Sequence, residues 1–180
     1  LKKILLLSDT HGKVDDFINA QLQVCDEVWH AGDLGGGNEI DQHFLSAGKP
    51  FRAVWGNIDS QERRLVYPEI ARFTIEGVKV LMTHIGGFPG KYAPGIKKLI
   101  MEYRPTLFIC GHSHILRIMH DREFGLLFIN PGAAGIEGFH KVRTMVRFTV
   151  SEGKIGTVEV LEMDRSVKGN SSLLGKQKNL

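Results

Sequence analysis

Several features that would mark a protein class are scarce in this sequence. It has two cysteines, Cys25 and Cys110, with no C-x-x-C spacing, which argues against both a disulfide scaffold and a thiolate zinc site. No apolar run approaches the roughly 18 residues of a membrane span. The lysine pair at 2–3 leads only into the short apolar stretch 4–7, not into a signal segment. An excess of one charge is missing too: 23 basic and 20 acidic side chains leave +3. Lys168, Lys176 and Lys178 fall in 166–180, which holds no acid, so the rest of the chain is neutral. A neutral body gives no support for a nucleic-acid partner or an anionic membrane. A cytoplasmic protein is expected, and the choice between monomer and homo-oligomer stays open. At 180 residues the chain suits a single domain over 1–165, with the Ser/Gly/Asn/Lys-rich tail 166–180 expected to be disordered.

What is present alternates between two hydrophobic periods. Buried-strand runs at 4–7, 27–30 and 51–54 are separated by helical spacing over 14–24 and a helix over 39–47, the pattern of a parallel α/β layer. Beyond Asp59 the pattern changes. Runs 70–75 and 78–82 flank Glu76-Gly77 as a hairpin, and Pro94 can open a helix that Arg104-Pro105 stops. A further strand is expected at 107–110, then antiparallel strands at 115–120, 126–129, 142–150 and 154–162.

The residues that can carry chemistry fall just past these strands. Asp9 and His11 follow the first, Asp33 the second, and Asn57 and Asp59 the third. His84 follows 78–82, and His112 and His114 follow 107–110. Functional sites in open α/β sheets assemble at the carboxyl ends of parallel strands. Asp9-x-His11 and His112-x-His114 have i, i+2 spacing, which in extended backbone places both side chains on one face. Any one of these could be a turn residue or a satisfied histidine. Their joint placement at strand ends points to a site.

As a set, Asp9-Thr10-His11, Gly32-Asp33, Gly56-Asn57, His84-x-Gly86 and Gly111-His112-Ser113-His114 resemble the calcineurin-like metallophosphoesterases, in order and over about 3–162. The short length and Asn130-Pro131-Gly132 are similar to its small uncapped bacterial and archaeal phosphodiesterase branch. The resemblance implies an α/β fold of two mixed β-sheets packed as a sandwich and flanked by helices, in four layers α/β/β/α. It assigns Asp9, His11, Asp33 and His114 to one metal ion and Asp33, Asn57, His84 and His112 to the other. Asp33 would bridge, and Asp33, Asn57 and His84 would serve catalysis. Such a donor set, without thiolate, suits Mn²⁺ first, or Ni²⁺, Fe²⁺ or Zn²⁺. The implied activity is hydrolysis of a small phosphodiester or nucleotide-like substrate by hydroxide formed at two divalent ions. The alternatives are a phosphomonoesterase or nucleotide pyrophosphatase, and a scaffold such as the family's eukaryotic retromer subunit.

One departure stands out. Where larger members place a histidine after Gly-Asn, this chain has Ile58, which cannot protonate a leaving group. His30 is expected to lie behind the site, and 130–135 to form a tight loop lining it. Arg63 and Arg64 are expected on an exposed helical turn. His43, His120 and His140 have no evident partner.

Overall fold

A computed structural model of the chain describes residues 1–166 and the backbone of 176–179. The chain runs β1 (Lys2–Leu7), α1 (Asp16–Leu22), β2 (Glu27–His30), α2 (Asn38–Ser46), β3 (Phe51–Ala53) and α3 (Gln61–Val66). It continues through the hairpin β4 (Ile70–Ile75) and β5 (Val78–Thr83), the hairpin β6 (Gly87–Phe88) and β7 (Lys91–Tyr92), α4 (Ile96–Tyr103) and β8 (Leu107–Ile109). Then follow β9 (Leu116–Asp121), β10 (Leu126–Pro131), β11 (Val142–Ser151), β12 (Lys154–Asp164) and β13 (Lys176–Asn179). Of the tail expected to be disordered, residues 167–175 and 180 lie outside the described ones, while β13 pairs antiparallel with β12.

Two mixed sheets result, ordered β13-β12-β11-β1-β2-β3 and β4-β5-β8-β10-β9. Within the first, β1, β2 and β3 are parallel, and within the second, β5, β8 and β10 are. The alternation along β1 shows how the layers form. Ile4 and Leu6 face Trp29, Val80, Met82, Ile109 and Phe148 between the sheets. Leu5 and Leu7 face the opposite way, onto Phe17, Ile18 and Leu22 of α1 and Ile40 and Phe44 of α2. On the far side, Leu81, Phe108 and Phe128 pack under Ile96 and Ile100 of α4. Strands covered on both faces read as continuous apolar runs, which is why 4–7 and 107–110 carry no alternation in sequence. The four-layer α/β/β/α sandwich is therefore present.

The element ends differ from expectation in instructive ways. The first helix begins only at Asp16, because Asp15 caps it by accepting the Ile18 N–H. The same carboxylate receives two guanidinium bonds from buried Arg143. The last helix starts at Ile96 rather than at Pro94, because Gly95 is in the left-handed region at φ +83°. The turns Glu76-Gly77 and Glu152-Gly153 have positive φ at both positions, as a two-residue hairpin requires. No helix among the described residues is long and apolar enough to cross a membrane.

Trp29 sits at the centre of the interior, fully buried, edge-on to Phe73 and Phe148 with ring centroids 5.0 and 5.5 Å away. Its indole N–H donates to Glu27 at 2.9 Å. Trp29→Ala should cost about 3–5 kcal/mol of stability in urea unfolding. A loss within measurement error would show that the sheets do not depend on this side chain for their packing.

Candidate metal centre

Loops after β1, β2 and β3 from one sheet, and after β5 and β8 from the other, converge at the carboxyl ends of the parallel strands. Backbone bonds tie them directly: the Asp9 N–H donates to Gly32 O, and the Gly111 N–H to His84 O, each at 3.0 Å. Two clusters of ligand-capable side chains form there, Asp9 with His11 and His114, and Asp33 with His84 and His112. Within each, the ligand atoms lie within 4.8 Å of one another. The clusters abut. Asp33 Oδ2 is 3.2 Å from His84 Nε2 and 3.7 Å from His11 Nε2, so it stands between them. Asp9 Oδ1 is 3.2 Å from His114 Nε2 and 3.9 Å from the Nε2 of both His11 and His84. Asn57 is exposed on the adjoining loop, its side chain free of hydrogen bonds to other described residues. Its neighbours nevertheless grip Asp33: the Ile58 N–H donates to Asp33 Oδ1 at 3.0 Å.

The backbone corrects the spacing argument. Asp9, His11, Asp33, His112 and His114 have φ of 54°, 49°, 55°, 68° and 58°, so the i, i+2 pairs are not extended. Left-handed residues turn successive side chains by a different rotation. Asp9 and His11 still join one cluster, but His112 and His114 part, one to each. Non-glycine residues in this region are uncommon and strained, and they gather at functional sites. Glycines make the close approach feasible. A Cβ on Gly56 would lie 2.1 Å from Asp33 Oδ1, and one on Gly32 would lie 2.6 Å from His84 Nδ1.

The residues fit a cation by their own chemistry. His84 Nδ1 donates to Ala31 O at 2.8 Å, an oxygen that can only accept, so this nitrogen carries the proton. In the neutral ring Nε2 is then a bare lone pair, aimed at carboxylate oxygens. Asp9 Oδ1, His11 Nε2 and His84 Nε2 are all buried without a hydrogen-bond partner. Lone pairs facing lone pairs in a buried place need positive charge between them. Without a cation a proton answers that need: burial pulls the His84 pKa down, yet the Asp33 and Asp9 carboxylates outweigh it and leave it raised. Asp9 likewise raises His114 against opposing burial. Metal bonds of about 2.0–2.2 Å put neighbouring ligand atoms roughly 3–4 Å apart, the spacing seen here. A backbone carbonyl holding the far nitrogen of a ligating histidine is the usual support for such a site.

Behind the clusters His30 is fully buried, as expected. Its Nδ1 accepts the Gly32 N–H at 3.2 Å, so the Nε2 proton goes to Thr10 Oγ1 at 3.0 Å, and Thr10 donates to Leu34 O at 2.9 Å. Arg63 overturns its expectation: it is buried, not exposed. Its guanidinium bonds Asp41, Asp59, Gly35 O and Gly37 O. Asp59 is a brace of the same network rather than a ligand, accepting N–H groups from Leu34, Gly35 and Gly56. Arg64 lies over the Trp55 ring, 4.5 Å from its centroid, and donates to Asn57 O. The loop after β10 reaches the site, with the Gly135 N–H on Asp9 O. Sequence reading missed His140, whose ring meets His114 edge-on at 5.2 Å and whose Nδ1 is buried without a partner. No local motif surrounds it, since the loop that returns it to His114 is a tertiary feature.

A family model described as the calcineurin-like phosphoesterase superfamily domain matches residues 3–153. The chain belongs to that superfamily. A "probable metallophosphoesterase" of Mycoplasma pneumoniae is 30% identical over 161 residues, covering 86% of this chain and 94% of its own. Solved structures with the same calcineurin-like fold include Vps29 from Chaetomium thermophilum, with TM-score 0.77 and 14% identity over 99% of this chain and 95% of that one. Vps29 from Entamoeba histolytica, solved in complex with Zn²⁺, has TM-score 0.73 and 18% identity over 99% and 98%. A protein of Streptococcus pneumoniae described as a predicted phosphoesterase has TM-score 0.64 and 20% identity over 99% and 98%. At these identities the likeness carries the fold.

His30 gives a test of the support behind this calcineurin-like site. Burial pushes its imidazole from 6.5 down to about 4. The folded state therefore resists a proton that the unfolded chain accepts, and stability falls as pH drops from about 6.5 to about 4. The full shift corresponds to roughly 3 kcal/mol. The difference in unfolding free energy between metal-free wild type and His30→Gln should shrink by an amount of that order across the window. A pH-independent difference would remove the neutral His30 from the account.

Proposed function

We propose that this chain is a phosphodiesterase that works with two divalent cations, manganese foremost. Asp9, His11, Asp33 and His114 would hold one, and Asp33, Asn57, His84 and His112 the other, with Asp33 shared. The observation that carries this reading is the bare His84 Nε2, its tautomer set by Ala31 O, facing buried carboxylate oxygens with no donor between. Two divalent cations held by these residues would supply a hydroxide nucleophile at neutral pH and positive charge for a phosphoryl group.

The chain's own residues do the rest. Asp33 keeps the two clusters in fixed relation: the Ile58 N–H holds its Oδ1, which leaves Oδ2 turned toward both His84 and His11. Exposed His112 and Asn57 stand at the open side, where a phosphoryl oxygen would arrive, and the Asn57 carboxamide can donate to it. Two divalent charges against Asp9 and Asp33 leave about +2, matched to hydroxide and a monoanionic diester better than to a dianionic monoester. This favours the phosphodiesterase reading over a phosphomonoesterase or nucleotide pyrophosphatase. A scaffold on the same fold is suggested by the Vps29 likeness, but docking alone gives no reason to bury unpartnered imidazole and carboxylate atoms.

Elemental analysis should find about two metal ions per chain, and a chelator should abolish hydrolysis that Mn²⁺ then restores better than Mg²⁺. Asp33→Ala should lose more metal and more activity than His11→Ala, since it serves both clusters. Near wild-type turnover of Asp33→Ala, or full activity without metal, would overturn the assignment.

Ile58 is 46% exposed beside Asn57 and has no proton to give. General-acid help is typically worth about 10²–10⁴-fold, most for leaving groups of high pKa. Activity should therefore be good on activated aryl diesters and weak on alkyl ones. Ile58→His should raise rates selectively on poor leaving groups, seen as a flatter plot of log kcat/KM against leaving-group pKa. An unchanged slope in a folded variant would show that this position does not face the leaving oxygen.

A further inference from the structure

A cleft of about 400 Å³ opens beside the candidate centre, and neither the metal chemistry nor the core explains it. One wall is the hairpin β6–β7 with Pro94; the other is His112, Ile115, Arg117 and Phe128. His112 belongs to both places, so an occupant of the cleft lies next to whatever the centre holds. The volume is within the range of small-molecule sites.

The lining is apolar and aromatic where charge would be expected so near a metal centre. Ile85, Phe88 and Ile115 remain 47%, 36% and 58% exposed around it, although each is large and apolar. Two of the polar groups among them are already engaged. Tyr92 ties its hydroxyl to Asp121, and Asn130 gives its amide to Gly111 O and Ser113 Oγ while accepting the Gly132 N–H. What these walls offer an occupant is therefore ring faces and alkyl surface, with few hydrogen bonds. At the rim the Arg117 guanidinium stacks 3.9 Å from the Phe88 ring centroid. Among the described residues no carboxylate pairs with Arg117 or with Lys91. A planar cation lying over a ring face, unneutralised, favours a flat π-system that belongs to an anion.

We propose that this cleft receives a flat aromatic group, aryl or nucleobase, carried by the phosphate ester whose phosphoryl group sits at the neighbouring centre. The proposal rests on the phosphoesterase reading and names its substrate class. Of the rings around it, Phe128 is buried under α4, so the surface left to an occupant is that of exposed Phe88 and half-buried Tyr92, which an alkyl diester would cover less fully than a flat ring.

The test separates the two readings by measuring binding apart from turnover. Phenyl phosphate and methyl phosphate are titrated by calorimetry into the Mn²⁺-loaded protein, and adenosine 5′-monophosphate and ribose 5-phosphate likewise. Phenyl phosphate should bind roughly 10- to 30-fold more tightly than methyl phosphate, the order expected for burying one ring. In Phe88→Ala and Arg117→Ala, both at the rim rather than in the core, that ratio should fall to about threefold or less. For aromatic diesters the same variants should raise KM with kcat little changed, which a structural defect would not do. A matching preference for adenosine 5′-monophosphate over ribose 5-phosphate assigns a nucleoside; a preference confined to phenyl phosphate assigns an aryl ester. Equal affinity for the phenyl and methyl compounds, or a ratio unmoved in both variants, overturns the cleft assignment even if diesters are hydrolysed. An intact phenyl preference with no ester hydrolysed under any metal overturns the phosphoesterase reading and leaves the aromatic subsite standing.

Discussion

Two buried carboxylates, Asp9 and Asp33, impose the constraint from which most of the site follows. Each sits in a place where a lone negative charge costs several kcal/mol. Backbone N–H groups satisfy only part of it: His112 N–H on Asp9 Oδ2 and Ile58 N–H on Asp33 Oδ1. The opposite oxygens look onto imidazole nitrogens. The arrangement makes sense only with positive charge at the middle, and the unusual backbone is the cost of closing around it. Positive φ at the flanking aspartates and histidines, and glycines at 32, 56 and 111, let five loops approach more closely than side chains would permit.

The sandwich supplies what those loops lack. Neither sheet holds a whole cluster, because Asp9, His11 and Asp33 come from one and His84, His112 and His114 from the other. Their relative position is set by the interior between the sheets, where Ile4, Leu6 and Trp29 meet Val80, Met82 and Ile109. Closer to the site, the Asp59–Arg63–Asp41 network holds the glycine loop after β2 against the loop after β3, and His30 with Thr10 holds the same loop against the one after β1. Polar networks of this kind, fully bonded and buried, permit little variation in the position of Asp33.

Much of this was legible in sequence because strand ends and ligand-capable residues coincide. The short apolar runs located β1, β2 and β8, and the residues after them located the candidate centre. What escaped reading depends on contacts distant in sequence. Arg63 looks like an ordinary helix charge until Asp41 and Asp59 are seen around it, and α3 is too short and too polar to register as a period. The hairpin β6–β7, two residues per strand, gives no pattern, yet it builds a wall of the aromatic cleft. His140 is brought to His114 only by the fold of the loop after β10. The i, i+2 rule failed for His112 and His114 because it assumes extended backbone, and the closest residues of the site are the least extended ones.

The order of strands has a consequence for how this chain comes to be folded on a ribosome. β1 is the second strand from neither edge: it lies between β2 and β11, and its antiparallel partner β11 begins only at Val142. Every residue of the two clusters, from Asp9 to His114, is therefore synthesised before the strand that pairs with the second flank of β1. Until that strand emerges, one flank of β1 presents unpaired backbone groups and apolar side chains, the condition under which nascent chains aggregate or recruit chaperones. A nascent chain of this topology has its chemistry in hand before it has the scaffold to hold it.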